Sequence, residues 1–180
     1  MFDIIVVTYN PGEKLKTTLD SIYSQDFWDY RVVIKDGAST DNSLNILRDS
    51  GYFDDFKSAR TTIIEAPDKG IYDAMNKGIR LCSGDIVGIL NSDDYYTSDD
   101  VLETYAKEFA NKDIDAVYGD IHFINAEKPN KIVRYYSSSL FSPFWLRFGF
   151  MPAHPSFYVR KNVYDKYGAY SLDYLIAADY

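Results

Sequence analysis

GDIVGILNSDD, residues 84–94, sets four apolar side chains (Ile86, Val87, Ile89 and Leu90) in a run too short for a helix and closes it with four polar residues. A run of this length, apolar on both faces, is the pattern of a strand buried on both sides. Ser98 follows as a helix cap, with Asp99 and Asp100 in the first turn, where the positive end of the helix dipole favours them. This reading gives strand, acidic turn, capped helix.

The same unit recurs upstream. Phe2 to Val7 is a β-branched run that ends in Thr8-Tyr9-Asn10-Pro11-Gly12, and Leu15, Leu19 and Ile22 follow at helical spacing. Tyr30 to Lys35 is closed by Asp36-Gly37, and Ser39 or Thr40 caps a helix carrying Leu44 and Leu47. Thr61 to Glu65 leads through Pro67-Asp68-Lys69-Gly70 into a helix over 71–81, whose Tyr72 and Met75 share the core face. Alternating strands and helices joined by short polar turns predict an α/β fold of three layers around a mostly parallel, doubly wound sheet.

Beyond residue 114 the pattern changes. Ala116 to Phe123, Lys131 to Tyr136 and Ser156 to Val159 read as strands, with an aromatic stretch over 141–150 between the last two. No linker or repeat separates the halves, so we expect one domain, with a ligand-binding half at 1–97 and a second half at 98–180.

Composition narrows the function. The chain has 180 residues and a net charge of −8, with no basic run, which argues against nucleic acid as a partner. A phosphorylated ligand would then need its charge offset, and a divalent cation is the natural means. Cys82 is the sole cysteine, which excludes an intrachain disulfide and suits a reducing, cytoplasmic setting. The N-terminus lacks a signal-peptide pattern and no segment is long and apolar enough to span a membrane, which leaves peripheral association at the inner face of the cytoplasmic membrane open. The excess of Tyr and Phe, 17 and 11, suits a core and ring stacking alike.

In open parallel sheets, ligands bind at the carboxyl ends of the strands. Here those ends carry Thr8, Tyr9 and Asn10, then Asp36, then Glu65 and Asp68, then Asp93 with Asp94. Neither a glycine-rich dinucleotide fingerprint nor a phosphate-cradling GxxxxGK[ST] loop is present. Asp93-Asp94 admits two readings: an acidic turn flanking a helix, or carboxylates for a hard cation whose shell substrate phosphates complete. Asn76 and Lys77 read as solvated or capping helix residues. His122, between Ile121 and Phe123, reads as structural.

Four segments taken together, IIVVTYN (4–10), IKDGASTDNS (34–43), APDKGIYDAMNKGI (66–79) and GDIVGILNSDD (84–94), resemble the family 2 glycosyltransferases in both order and spacing. The resemblance implies the GT-A fold and inverting transfer of a sugar from a nucleoside-diphosphate sugar, UDP-linked by preference, with Mn²⁺ or Mg²⁺. The acceptor would be a saccharide or lipid-linked saccharide, since PDKGIYDAMNKG is similar to bacterial exopolysaccharide enzymes. Thr8 and Tyr9 would line the base pocket and Asp36 would contact base or ribose. Asp68 and Lys69 would lie near the nucleotide, Asp93 would face ribose or donor sugar, and Asp94 would ligate the metal. His154, in MPAHPS (151–156), would be a further metal ligand. Asp179, in LIAADY (175–180), would be the catalytic base. The family often has an acidic pair where this chain has Lys35-Asp36, and another where it has Ala178-Asp179. The end at Tyr180 reads as the start of a helix cut short, which suggests a truncated acceptor half.

Two other functions stay in view. A sugar nucleotidyltransferase shares such a sheet but wants a Gly-rich first loop with a basic residue, which residues 8–12 lack. A catalytically silent nucleotide-sugar binder is consistent with Ala178.

Overall fold

The computed structural model describes residues 1–125, 128–139 and 141–174, the side chains of Pro129 and Asn130 excepted. Strands β1 (Phe2–Thr8), β2 (Tyr30–Asp36), β3 (Thr61–Glu65) and β4 (Ile86–Asn91) lie parallel, with β1 between β2 and β4. Strand β8 (Tyr158–Arg160) pairs antiparallel with β4, and β5 (Ala116–Val117) antiparallel with β8, giving the order β3-β2-β1-β4-β8-β5. The expected α/β, mostly parallel sheet is thus present.

Every residue of β1 is buried, and the alternation of its side chains divides the core. Ile4 and Val6 face helices α1 (Lys14–Tyr23), α2 (Ser43–Asp49) and α5 (Val101–Phe109), whose Leu19, Leu47 and Leu102 pack against them. Ile5 and Val7 face α4 (Ile71–Leu81) through Ala74, Met75 and Ile79, with Tyr164 of α6 (Lys161–Tyr167) beside them. A short helix, α3 (Asp55–Arg60), precedes β3 without sequence warning; Asp54 caps it by accepting from Lys57 N at 2.9 Å.

Several local expectations are corrected. Ser98 does not cap α5: Asp100 stands at the cap position, and Ser98 Oγ donates to its carboxylate at 2.6 Å. Neither Ser39 nor Thr40 caps α2, because both are held by the loop after β1, and a left-handed Asn42 begins the helix instead. The strand expected over 116–123 divides. Its first part, β5, stays in the main sheet; the chain turns at Tyr118-Gly119-Asp120, where Ser156 Oγ donates to Gly119 O at 2.9 Å. Its second part, β6 (Ile121–Asn125), pairs with β7 (Lys128–Tyr136) in a separate antiparallel hairpin. The strand expected from Ser156 starts at Tyr158, since His154–Ser156 form a 3-10 turn, and another such turn, Pro143–Phe148, holds the aromatic stretch.

Candidate active site

The chain builds β1, β2 and β3 outward in one direction, then returns to place β4 on the other side of β1. Strand order therefore reverses between β1 and β4, and a crevice opens at their carboxyl ends. Register makes those ends flush: Thr8 lies opposite Asp36, Asp36 opposite Glu65, and Val7 opposite Asn91. A cavity of about 820 Å³ occupies the crevice, lined by residues 7–11 and 91–93 together with Lys14, Gly37, Pro67, Asp68, Gly70, Ile71 and Ala74.

The loops around it are tied to one another. Asn10 N donates to Ser39 Oγ at 2.8 Å and Asn10 Oδ1 accepts from Thr40 N at 2.7 Å, while Gly12 N donates to Asp41 Oδ2 at 2.8 Å. A Cβ on Gly37 would stand 3.2 Å from Cδ2 of Tyr9, so a larger residue there would have to shift the ring. Tyr9 is 66% exposed, a ring face open to a planar ligand.

Asp36 is only 1% exposed and does not line the cavity. Its carboxylate accepts from Ser39 N at 2.8 Å and Ser39 Oγ at 2.5 Å, fixing the loop that does. Asp68 lines the cavity, and ammonium groups hold both of its oxygens, Lys35 at 2.6 Å and Lys77 at 2.7 Å. Lys35 is fully buried, and its Nζ also donates to Asp36 O and Ala66 O, so three acceptors satisfy its three protons. The position where the family's acidic pair was expected thus holds a structural cation joining two site loops. Lys77 is not merely solvated: it also pairs with Asp73 at 2.8 Å, and that contact, followed by the Lys69 N–H, holds the Asp73 carboxyl below its ordinary value. The Lys69 side chain itself is exposed and outside the cavity lining.

Asp93 lines the cavity, 3.9 Å from Lys14, an exposed pair weak enough to open for a ligand. Sequence reasoning missed Lys14; its sole signal was a basic residue one turn beyond a strand-end loop. Asp94 faces away into a second cavity and accepts from Asn91 Nδ2 at 3.2 Å. Burial, and next the charge of Asp93, raise the Asp94 carboxyl above the ordinary 3.8. Thr8 Oγ1 and Asn91 Oδ1 are buried with no hydrogen-bond partner among the described residues.

The donor chemistry suits a hard cation. The carboxylates of Asp93 and Asp94 and the unpaired oxygens of Thr8 and Asn91 are all of the hard class that Mn²⁺ or Mg²⁺ takes. Among the described residues no three acidic, His or Cys side chains converge on one point, so Asp93, Asp94 and His154 are not gathered into one cluster. A shell left incomplete in this way is one that substrate phosphates can fill. His154 sits on the 3-10 turn, its ring 6.1 Å from that of Tyr170. Asn76, rather than capping a helix, clamps Tyr170 to α4, donating to Tyr170 O at 2.8 Å and accepting from Tyr170 N at 2.9 Å. His122 is not a buried structural histidine: it is exposed, lines the second cavity and packs on the Tyr135 ring at 5.3 Å. Asp179 and its neighbour Ala178 lie outside the described residues.

Residues 3–172 match the sequence profile of Glycosyl transferase family 2. A PGL/p-HBAD biosynthesis glycosyltransferase of Mycobacterium bovis is 31% identical over 181 residues, covering all of this chain and 67% of that protein. Among solved structures, Staphylococcus aureus TarS overlays with a TM-score of 0.78 at 21% identity, over 99% of this chain and 32% of that one. A mannosyltransferase from Pyrobaculum calidifontis, solved with GDP-Man and Mn²⁺, overlays with a TM-score of 0.71 at 22% identity, over 96% of this chain and 48% of that one. The chain spans about two thirds of the mycobacterial relative and no more than half of these two structures.

Proposed function

The chain belongs to glycosyl transferase family 2, with the GT-A fold, and from that premise we propose that it transfers a sugar from a nucleoside-diphosphate sugar to an acceptor hydroxyl with inversion. The observation that carries this reading is the cavity at the reversal of strand order, lined by Thr8, Asn91, Ser92 and Asp93, with Asp36 fixing the neighbouring loop.

In this reading the nucleotide lies over the ends of β1 and β2. Tyr9 stacks on the base, with Thr8 beneath it and the Asp36 loop at its edge. Asp68 and Lys69 border the nucleotide. The diphosphate lies where α4 begins, with Gly70 and Ile71 on the wall and the positive end of the helix dipole toward it, and Lys14 turns from Asp93 to meet it. Asp94 would ligate Mn²⁺ or Mg²⁺, and His154 would be the further ligand that the resemblance implies. When bound, the cation would supply charge neutralisation for the departing diphosphate. Asp93 orients the donor sugar. Asp179, assigned by the resemblance, takes the proton of the acceptor hydroxyl as its oxygen bonds to the anomeric carbon and the bond from that carbon to the diphosphate oxygen breaks. One displacement of this kind inverts the centre. The acceptor, a saccharide or lipid-linked saccharide, meets the second half of the chain, residues 98–180. A lipid-linked acceptor would place the reaction at the inner face of the cytoplasmic membrane; among the described residues no helix is long and apolar enough to cross it.

Calorimetric titration of UDP, GDP and dTDP, with and without Mn²⁺, tests the reading on the wild type and Asp94→Ala. We expect one nucleotide to bind in a metal-dependent way and the variant to lose that dependence. Absence of metal-dependent binding for all three would overturn it.

A further inference from the structure

The second cavity, of about 510 Å³, adjoins the first at Asp93, which lines both. It runs from the Asp93–Thr97 turn to the underside of the β6–β7 hairpin. Its two ends differ in chemistry. Near the turn stand the carboxylates of Asp93 and Asp94. At the hairpin the wall is mostly apolar, with Ile121, Phe123, Ile124 and Ile132 joined by Val101 of α5, and His122 is the polar residue among them.

Several polar groups of this cavity are already engaged, whereas the exposed His122 offers its ring nitrogens on the hairpin wall. Tyr105 Oη donates to Ser156 O at 2.6 Å, and the Tyr96 hydroxyl is bonded to that of Tyr158, so both rings offer faces rather than hydroxyls. Asp120 accepts from Ser138 N at 2.7 Å and Ser138 Oγ at 2.8 Å on one oxygen and from the Tyr135 hydroxyl on the other. A sugar ring pushed to this end would lose water from its hydroxyls and find His122 as the one uncommitted side-chain partner on the hairpin wall, which leaves most of those hydroxyls unpaired. An apolar group would gain instead, because Phe123 is 45% and Ile132 53% exposed and both have surface to cover.

We propose, resting on the glycosyl-transfer reading, that this cavity receives the acceptor, and that the acceptor carries its reacting hydroxyl beside an apolar ring or chain: an aryl or alkyl aglycone rather than a free oligosaccharide. The hydroxyl sits at the Asp93–Asp94 end, next to the donor, and the apolar body lies beneath the hairpin.

The test is equilibrium binding, by calorimetry, of methyl, octyl and 4-nitrophenyl β-D-glucopyranoside, with octyl kept below its micelle concentration. Octyl or 4-nitrophenyl glucoside is expected to bind about tenfold or more tighter than the methyl compound, the gain from burying a few methylenes. The two arms separate a chain-bearing from a ring-bearing acceptor. Ile132→Asn with Phe123→Ser should remove the preference, whereas Trp145→Ser, on the aromatic turn outside the cavity, should leave it. Equal binding of all three, no binding, or a preference that survives in the cavity variant and falls in Trp145→Ser would overturn the proposal. A photoreactive diazirine on the octyl chain gives a second measurement without variants: labelling is expected within 121–132, and labelling confined to 141–150 would overturn it. The nucleotide titration, run on the same protein, keeps the two readings apart. Metal-dependent nucleotide binding without apolar preference sinks the acceptor class alone, whereas loss of nucleotide binding sinks the function itself.

Discussion

Asp94 is held at odds with its surroundings. Burial and the neighbouring Asp93 charge both favour its neutral form, and the hydrogen bond from Asn91 only partly offsets them. A carboxyl whose folded value lies above its unfolded one binds its proton more tightly in the folded chain. Its contribution therefore favours folding in acid and is lost as pH rises through the ordinary 3.8 and beyond. At pH 7, Asp94→Asn should have a urea midpoint equal to or above that of the wild type in the absence of ligand, yet fail to bind nucleotide with metal. A clear drop in midpoint would mean that Asp94 is structural. At this scale the sequence showed which residues gather and left their partners unread. Asp36, Asp68 and Asp93 stand at the strand ends as their spacing required. That Lys35 turns inward to Asp68 depends on a contact between residues 33 positions apart, which no local pattern encodes, whereas the Asp36–Ser39 bonds span three residues and belong to the turn itself.

Among the elements, β4 and β8 meet through one close approach. Gly88 faces the ring of Tyr158, and a Cβ there would overlap the ring atoms. Tyr158 in turn contacts Phe2, Tyr96 and Tyr105, so it has nowhere to move. Gly88→Ala should cost about 3 kcal/mol or more, read from urea unfolding; a loss below about 1 kcal/mol would show that the ring relaxes. The parallel strands were legible in the sequence because burial on both faces demands continuous apolar runs. The split of 116–123 was not, because either fragment alone satisfies a strand pattern, and the turn at Gly119 depends on Ser156, 37 residues away. Helix α3 was missed for a related reason: six residues with no buried side chain leave no periodicity to read.

Over the whole molecule, stability is unevenly distributed. Strand β1 is paired along both edges and buried throughout, while the β6–β7 hairpin has only two strands and carries exposed Phe123, Ile132, Val133 and Tyr135. Two-stranded ribbons are marginal by themselves. Native-state hydrogen exchange should therefore find the amides of Ile4 to Val7 among the slowest and those of Ile121 to Asn125 faster by orders of magnitude. Similar rates in both would contradict this division.

The tie between Lys35 and Asp68 constrains how such a chain can change over generations. Lys35 stands next to the end of strand β2 and Asp68 lies in the loop after β3, and Lys35 is fully buried, so losing Asp68 strands its charge in the interior, a step selection would remove before Lys35 could follow. The donor floor is thereby frozen in pairs. Among the described residues the hairpin makes no such ion pair to the floor, and its side chains are replaceable singly. A lineage built on this plan can exchange acceptors by small steps while its grip on the nucleotide stays as inherited.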